Sequence, residues 1–176
     1  MKIIVQAGGL GTRMMSLTAS KPKALIPVFN KPILFHLFDL FNKPSNEFII
    51  IGDYMYEVLD NYLTTFAKNK RYILMKAEGK GNAAGIKEAL RFVPDNEAVM
   101  LIWSDLILPK DFKVDTSILG CQVGVVDFPC SWRVIGKLFK NPCSQAELNK
   151  IVPFGFSLQR QKMVFFCHQN SIILLC

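Results

Sequence analysis

The sequence predicts an α/β fold, a doubly wound, mostly parallel sheet with helices on both faces. Three observations carry that expectation. Short apolar runs recur at residues 2–6, 48–51, 72–75 and 98–103. The segments between them place apolar residues at helical spacing, so strands and helices alternate, as in parallel sheets. Each apolar run is continuous rather than alternating, the pattern of a strand covered on both sides.

Taken in order, Lys2-Ile3-Ile4-Val5-Gln6 is the first strand and passes straight into Ala7-Gly8-Gly9-Leu10-Gly11-Thr12-Arg13. Pro32 sits where a first helical position belongs, and Ile33 to Phe41 follows as an apolar helix,. Phe48 to Ile51 is the second strand and ends in Gly52-Asp53. Tyr54 to Phe66 is a helix with Met55, Val58, Leu59 and Leu63 on one face, and Asp53 caps it,. Tyr72 to Met75 is the third strand. Glu78 to Gly85 is a glycine-rich loop leading into a helix that reaches Phe92, and Ala98 to Trp103 is the fourth strand, closing on Ser104-Asp105. In such sheets ligands bind outside the carboxyl ends of the strands. The segments with chemical character stand there.

Composition excludes several classes. Hydrophobic residues make up 51% of the 176 residues, too many for a disordered chain. No apolar run approaches the ~18 residues of a membrane span, and no signal-peptide pattern opens the chain, so a cytoplasmic protein is expected. The formal charge is +7. Its Lys and Arg are scattered and do not interleave with aromatics, which argues against a nucleic-acid groove and leaves small anionic substrates. The five cysteines are Cys121, Cys130, Cys143, Cys167 and Cys176, with no CxxC pair, so they read as free thiols rather than zinc ligands. His36 lies in an apolar helix, and Cys167-His168 has no orienting acid nearby. Neither is assigned a catalytic role.

Glycines at 8, 9 and 11 let backbone N–H groups approach a phosphate with no side chain in the way. Arg13 adds a fork of donors suited to phosphate oxygens, and Lys23 a second positive charge. The loop is neither a Walker A sequence nor a full dinucleotide fingerprint. Asp105, at a strand's carboxyl end, has the chemistry to hold Mg²⁺, which takes one or two carboxylates beside phosphates and water.

The whole run Gln6 to Arg13, then Leu17-Thr18, Lys21-Pro22-Lys23, Pro27-Val28 and Lys31-Pro32-Ile33, resembles the sugar-phosphate nucleotidylyltransferase family. That family opens with Gly-Gly-x-Gly-Thr-Arg, followed by Leu-Thr, Pro-Lys and Pro-Val at these spacings. The resemblance implies a Rossmann-like nucleotidyltransferase core. It also implies an Mg²⁺-dependent transfer of a nucleoside monophosphate from a nucleoside triphosphate to a small phosphorylated substrate, with release of pyrophosphate. By the same resemblance Ala7, Gly8, Gly9, Gly11 and Thr12 cradle the nucleotide, and Gly81 and Asn82 lie beside its base and ribose. Arg13 neutralises the pyrophosphate, Lys23 holds phosphate oxygens at the reacting centre, and Asp105 coordinates Mg²⁺. Ser16 stands where the family often has Pro.

The likeness is looser through Asp105 and faint to about residue 142, so residues 1–142 are expected to form the nucleotidyltransferase core and 143–176 an atypical segment. Beyond Asp127 the only acidic residue is Glu147, and the family's second, late Mg²⁺-binding Asp has no counterpart. These features suggest a truncated chain or a shifted reading frame near the end. The apolar Ser171 to Cys176 would make an awkward exposed tail, favouring a homo-oligomer. Two other classes are compatible: a non-catalytic nucleotide-binding or regulatory protein, and, more weakly, an RNA-associated one.

Overall fold

The structure, a computed structural model, describes residues 1–79, 82–95 and 97–114, together with the backbone of four later strands. At its centre is β1 (Lys2–Gln6), parallel to β4 (Glu47–Gly52) on one edge and to β6 (Val99–Trp103) on the other. β5 (Tyr72–Lys76) extends the sheet beyond β4, also parallel. Past β6 the sheet continues antiparallel through β9 (Phe165–His168) to β7 (Gly120–Val123). The full order is β5-β4-β1-β6-β9-β7. A small hairpin, β2 (Pro27–Val28) with β3 (Lys31–Pro32), and an antiparallel pair, β8 (Val134–Lys137) with β10 (Ile173–Leu175), complete the strands.

Alternation along each strand sends successive residues to opposite faces. On one face Ile3, Val5, Phe48, Ile50, Met100 and Ile102 join Leu34, Leu37 and Phe38 of α1 (Ile33–Leu40) and Leu59 and Leu63 of α2 (Tyr56–Phe66) in one core. On the other face Ile4, Ile49 and Leu101 are equally buried, and α3 (Asn82–Ala89) packs there against β1 and β4. At Gly85 of α3 an added Cβ would come within 2.9 Å of the Ile51 side chain, so only a bare backbone lets the helix approach this closely. Phe38 is the keystone of the first face. It is fully buried and meets Phe48 edge-on at 4.7 Å and Phe35 at 5.3 Å.

The doubly wound, mostly parallel architecture agrees with the sequence expectation, and local details differ for identifiable reasons. Pro32 is the N-cap of α1, with extended ψ 142, because it is also the last residue of the hairpin strand β3. α2 starts at Tyr56 rather than Tyr54, since Met55 takes a left-handed conformation (φ 51). Asp53 therefore does not cap the helix with its side chain; its carbonyl accepts the Tyr56 N–H at 3.1 Å. Val58 is 40% exposed while Leu59 and Leu63 are fully buried, the core stripe lying about 100° round the helix from Val58. His36 is structural: its Nε2 bonds the Val28 carbonyl at 2.9 Å and holds the hairpin to α1. In the last segment the backbone of β10 pairs with that of β8. The boundary near residue 142 lies outside the described residues. Among the described residues no helix is long and apolar enough to cross a membrane.

The strand entrance is tied by charge. Lys2 pairs with Glu47 on the neighbouring strand, and the hydrogen bond from Lys2 holds the Glu47 carboxyl below its ordinary value of 4.5, against the opposing effect of burial. Phe38→Ala should lower unfolding free energy in denaturant titrations by about 3–5 kcal/mol, the range for emptying an aromatic core site. Glu47→Gln should cost at most about 1 kcal/mol at neutral pH. The carboxylate's contribution is complete above the ordinary Glu value and fades as pH falls through the depressed one. The difference between Glu47→Gln and the parent protein should therefore vanish in acid.

Candidate nucleotide-binding site

The chain order creates a crevice. From β1 it winds outward through α1 to β4 and through α2 to β5, and then α3 carries it back to β6 on the opposite side of β1. The direction of winding reverses between β1 and β6, and a cleft opens beyond their carboxyl ends. Three loops meet there. The Ala7 N–H bonds the Ile51 carbonyl at 2.9 Å, the Ser104 N–H bonds the Gln6 carbonyl at 3.0 Å, and the Tyr54 N–H bonds the Gly8 carbonyl at 3.4 Å.

The loop after β1 is shaped by two glycines. At Gly8 an added Cβ would lie 2.9 Å from the Asp53 Cβ, so any side chain would push the loop off the end of β4. Gly11 has φ +64, and a Cβ there would fall 2.7 Å from the Thr18 side chain. Thr18 is buried, with its hydroxyl near the carbonyls of Gly11 (3.3 Å) and Met15 (3.2 Å). Tyr54 donates its phenolic O–H to the Thr18 carbonyl at 3.0 Å. The fold of the loop is thus set by Thr18 and held to the end of β4 by Tyr54. The amides of Gly8, Gly9, Leu10 and Gly11 donate to no group among the described residues. Open consecutive amides of this kind form an anion cradle.

Two charged side chains reach the same place from distant parts of the chain. Pro22 (φ −67, ψ 153) leads into a short 3-10 turn, Lys23–Leu25, in which Ala24 and Leu25 are buried. With its neighbours anchored, Lys23 projects toward the end of β6 and forms an ion pair with Asp105, 82 residues away in sequence. Arg13 is exposed within the 3-10 turn Thr12–Thr18 and has no ion-pair partner among the described residues.

The structure brings Ala7, Gly8, Gly9, Gly11, Thr12, Arg13, Lys23 and Asp105 to one end of the sheet. Ala7 is buried, and its amide is spent on the sheet. Gly81 lies outside the described residues, and Asn82 is described only as the first residue of α3. Sequence reasoning gave no role to Thr18, Tyr54 or Glu88. The Glu88 carboxylate of α3 accepts the N–H groups of Glu78 (3.0 Å) and Gly79 (3.2 Å), which holds its pKa below the ordinary value. A Thr two residues after Ser16 and a Tyr after Gly52-Asp53 were visible, but nothing in their spacing revealed that they meet. Among the described residues no cluster of three acidic, His or Cys side chains exists to hold a metal. Among the described residues Asp105 is the carboxylate that pairs with Lys23.

Residues 2–115 match the family described as nucleotidyl transferase. The chain belongs to that family. Among curated relatives, the D-glycero-alpha-D-manno-heptose 1-phosphate guanylyltransferase of Campylobacter jejuni is 37% identical over 103 residues, covering 57% of this chain and 46% of the relative. The CTP:phosphoglutamine cytidylyltransferase of the same organism is 26% identical over 157 residues, covering 86% of this chain and 62% of the relative. Among solved structures, the inositol-1-phosphate CTP transferase of T. maritima superposes with a TM-score of 0.58 at 16% identity, covering 95% of this chain and 70% of that one. The last likeness concerns the fold. The chain spans about half the length of curated relatives such as the guanylyltransferase.

Gly11→Ala should destabilise the protein by about 1–2 kcal/mol, combining a left-handed backbone with a steric clash. Tyr54→Phe should cost about 1 kcal/mol for the lost hydrogen bond. Its sharper signature should be faster amide hydrogen exchange at Met14 and Ala19, whose N–H groups are bonded across the Thr12–Thr18 turn, measured by mass spectrometry. Unchanged exchange there would remove Tyr54 as the loop's anchor.

Proposed function

We propose that this nucleotidyl transferase moves a nucleoside monophosphate from a nucleoside triphosphate onto a small phosphorylated acceptor, releasing pyrophosphate. The observation that supports this reading most directly is the juxtaposition at one sheet end of open loop amides with Lys23 and Asp105. An oxygen of the acceptor phosphate attacks the α-phosphorus in line. A new P–O–P linkage forms as the bond to the β-phosphate breaks, and pyrophosphate leaves with the electron pair. The chemistry requires alignment and charge compensation more than a strong base.

Each side chain then has a distinct task. The amides of Gly8 to Gly11 hold phosphate oxygens, with Thr12 at the start of the following turn. Arg13, on the open lip, neutralises the departing pyrophosphate. Lys23 binds oxygens at the reacting phosphorus. Gly81 and Asn82 border the base and ribose. Asp105 suits a divalent cation: it already carries a cationic partner, the Lys23 ammonium, on Oδ2, and Mg²⁺ asks the protein for only one or two carboxylates. When bound, Mg²⁺ supplies charge neutralisation and orientation of the phosphates. The acceptors in the relatives' names are a heptose phosphate, phosphoglutamine and inositol phosphate, so a terminal phosphoryl group on a small polar body is the shared chemistry.

Purified protein, Mg²⁺, each nucleoside triphosphate and a panel of sugar, cyclitol and amino-acid phosphates should give pyrophosphate for one particular pair. Arg13→Ala and Asp105→Ala should each lower that rate by about 10²–10³, the scale for removing a charge-stabilising group. Saturable nucleotide binding without pyrophosphate from any pair would overturn the transferase reading and leave a nucleotide-binding protein.

A further inference from the structure

We infer that Lys23 acts as a built-in stand-in for the divalent cation on Asp105, so that cation binding and release of Lys23 toward a phosphate are one coupled event. This rests on the reading of Asp105 as the cation-binding carboxylate and of Lys23 as a phosphate ligand. The Lys23 ammonium sits on Oδ2 of Asp105, and the two side chains are only 23% and 10% exposed. In so sheltered a place each charge has lost much of its water, and each compensates the other. A divalent cation on the same carboxylate would face a positive ammonium at contact distance. The two compete unless an anion arrives to take one of them.

A triphosphate is that anion. A Cβ placed at Gly11 would lie 3.6 Å from the Lys23 Cβ, so the lysine stem begins beside the loop whose amides are open. Its backbone is fixed by Pro22 and by buried Ala24 and Leu25, while the flexible four-carbon stem lets the head swing without moving the fold. A cation arriving alone leaves the ammonium uncompensated, and a triphosphate arriving alone draws off Lys23 and leaves the carboxylate facing a polyanion. Together they satisfy all four groups. Linkage then requires each ligand to raise the affinity of the other. The pair thereby favours the metal–nucleotide complex over either component.

The test uses Mn²⁺ alone, titrated into the full chain without nucleotide and followed by electron paramagnetic resonance. Lys23→Met, which keeps the stem and removes the charge, should bind Mn²⁺ at least about fivefold more tightly than the parent protein, the scale of losing one partly sheltered charge contact. Asp105→Asn should abolish the binding. In the parent protein, acylation of Lys23 by a pulse of amine-reactive ester should rise severalfold at saturating Mn²⁺. Equal or weaker binding by Lys23→Met, with Asp105→Asn still inactive, overturns the coupling and leaves the cation site in place. Binding unchanged in Asp105→Asn overturns the cation site itself, and the coupling with it. Should Lys23→Met fail to fold, constant Lys23 acylation across the Mn²⁺ titration of the parent protein overturns the coupling directly.

Discussion

Strand β1 is hydrogen-bonded along both edges, to β4 on one side and β6 on the other, and its middle residues are fully buried. Almost every feature of the molecule follows from that placement. With β1 in the centre, chain connections must leave on one side and return on the other, so the winding reverses beside it. The reversal opens a cleft where the loops after β1 and β6 cannot close over each other. Burial of Ile3, Ile4 and Val5 between two helical layers fixes the strand's height in the sheet, and with it the level at which Gly8 emerges. The loop's shape is then a local matter of Gly8 against Asp53 and Gly11 against Thr18.

Such dependence on the centre explains why the fold was legible from sequence. Continuous apolar runs such as Phe48-Ile49-Ile50-Ile51 leave no polar face for solvent, and covered strands with helices between them admit few arrangements. The candidate site was legible to the same depth and no further. Residues that follow a strand directly, Gly8 to Arg13 and Asp105, were placed correctly at the sheet's carboxyl end because the strand itself points there. What stayed hidden were contacts between loops. The Lys23–Asp105 pair joins residues 82 positions apart, and the Tyr54–Thr18 bond joins residues 36 apart. Neither separation leaves a periodic trace. Backbone choices were hidden too. Met55 at φ 51 delays the start of α2 from Tyr54 to Tyr56, and no residue type announces that a methionine will adopt it. The antiparallel entry of β9 beside β6 lay in a region whose composition gives no strand period.

The two charged groups of the cleft are supported differently, and the difference has mechanical meaning. Lys23 is braced from behind by Pro22, Ala24 and Leu25, so its reach is set by side-chain torsions alone. Arg13 rises from a 3-10 turn that contains a non-helical break at Met15 (φ 46, ψ −119). A 3-10 segment is less well hydrogen-bonded than an α-helix, and the exposed Met15 side chain adds little packing. One cation therefore sits on a rigid floor and the other on a pliable rim. Such an arrangement suits the reaction proposed above, in which an inner phosphate is aligned and the outer phosphates are let go.

The wide sequence gap between Lys23 and Asp105 also sets an order of events on the ribosome. The glycine loop and its lysine are synthesised first, but their carboxylate partner arrives only after β4, β5 and α3 have been made. Because a domain folds as a unit and the cleft needs β6 beside β1, Lys23 finds its counter-charge only when the sheet closes. Closing the sheet and neutralising the lysine are in this sense the same step.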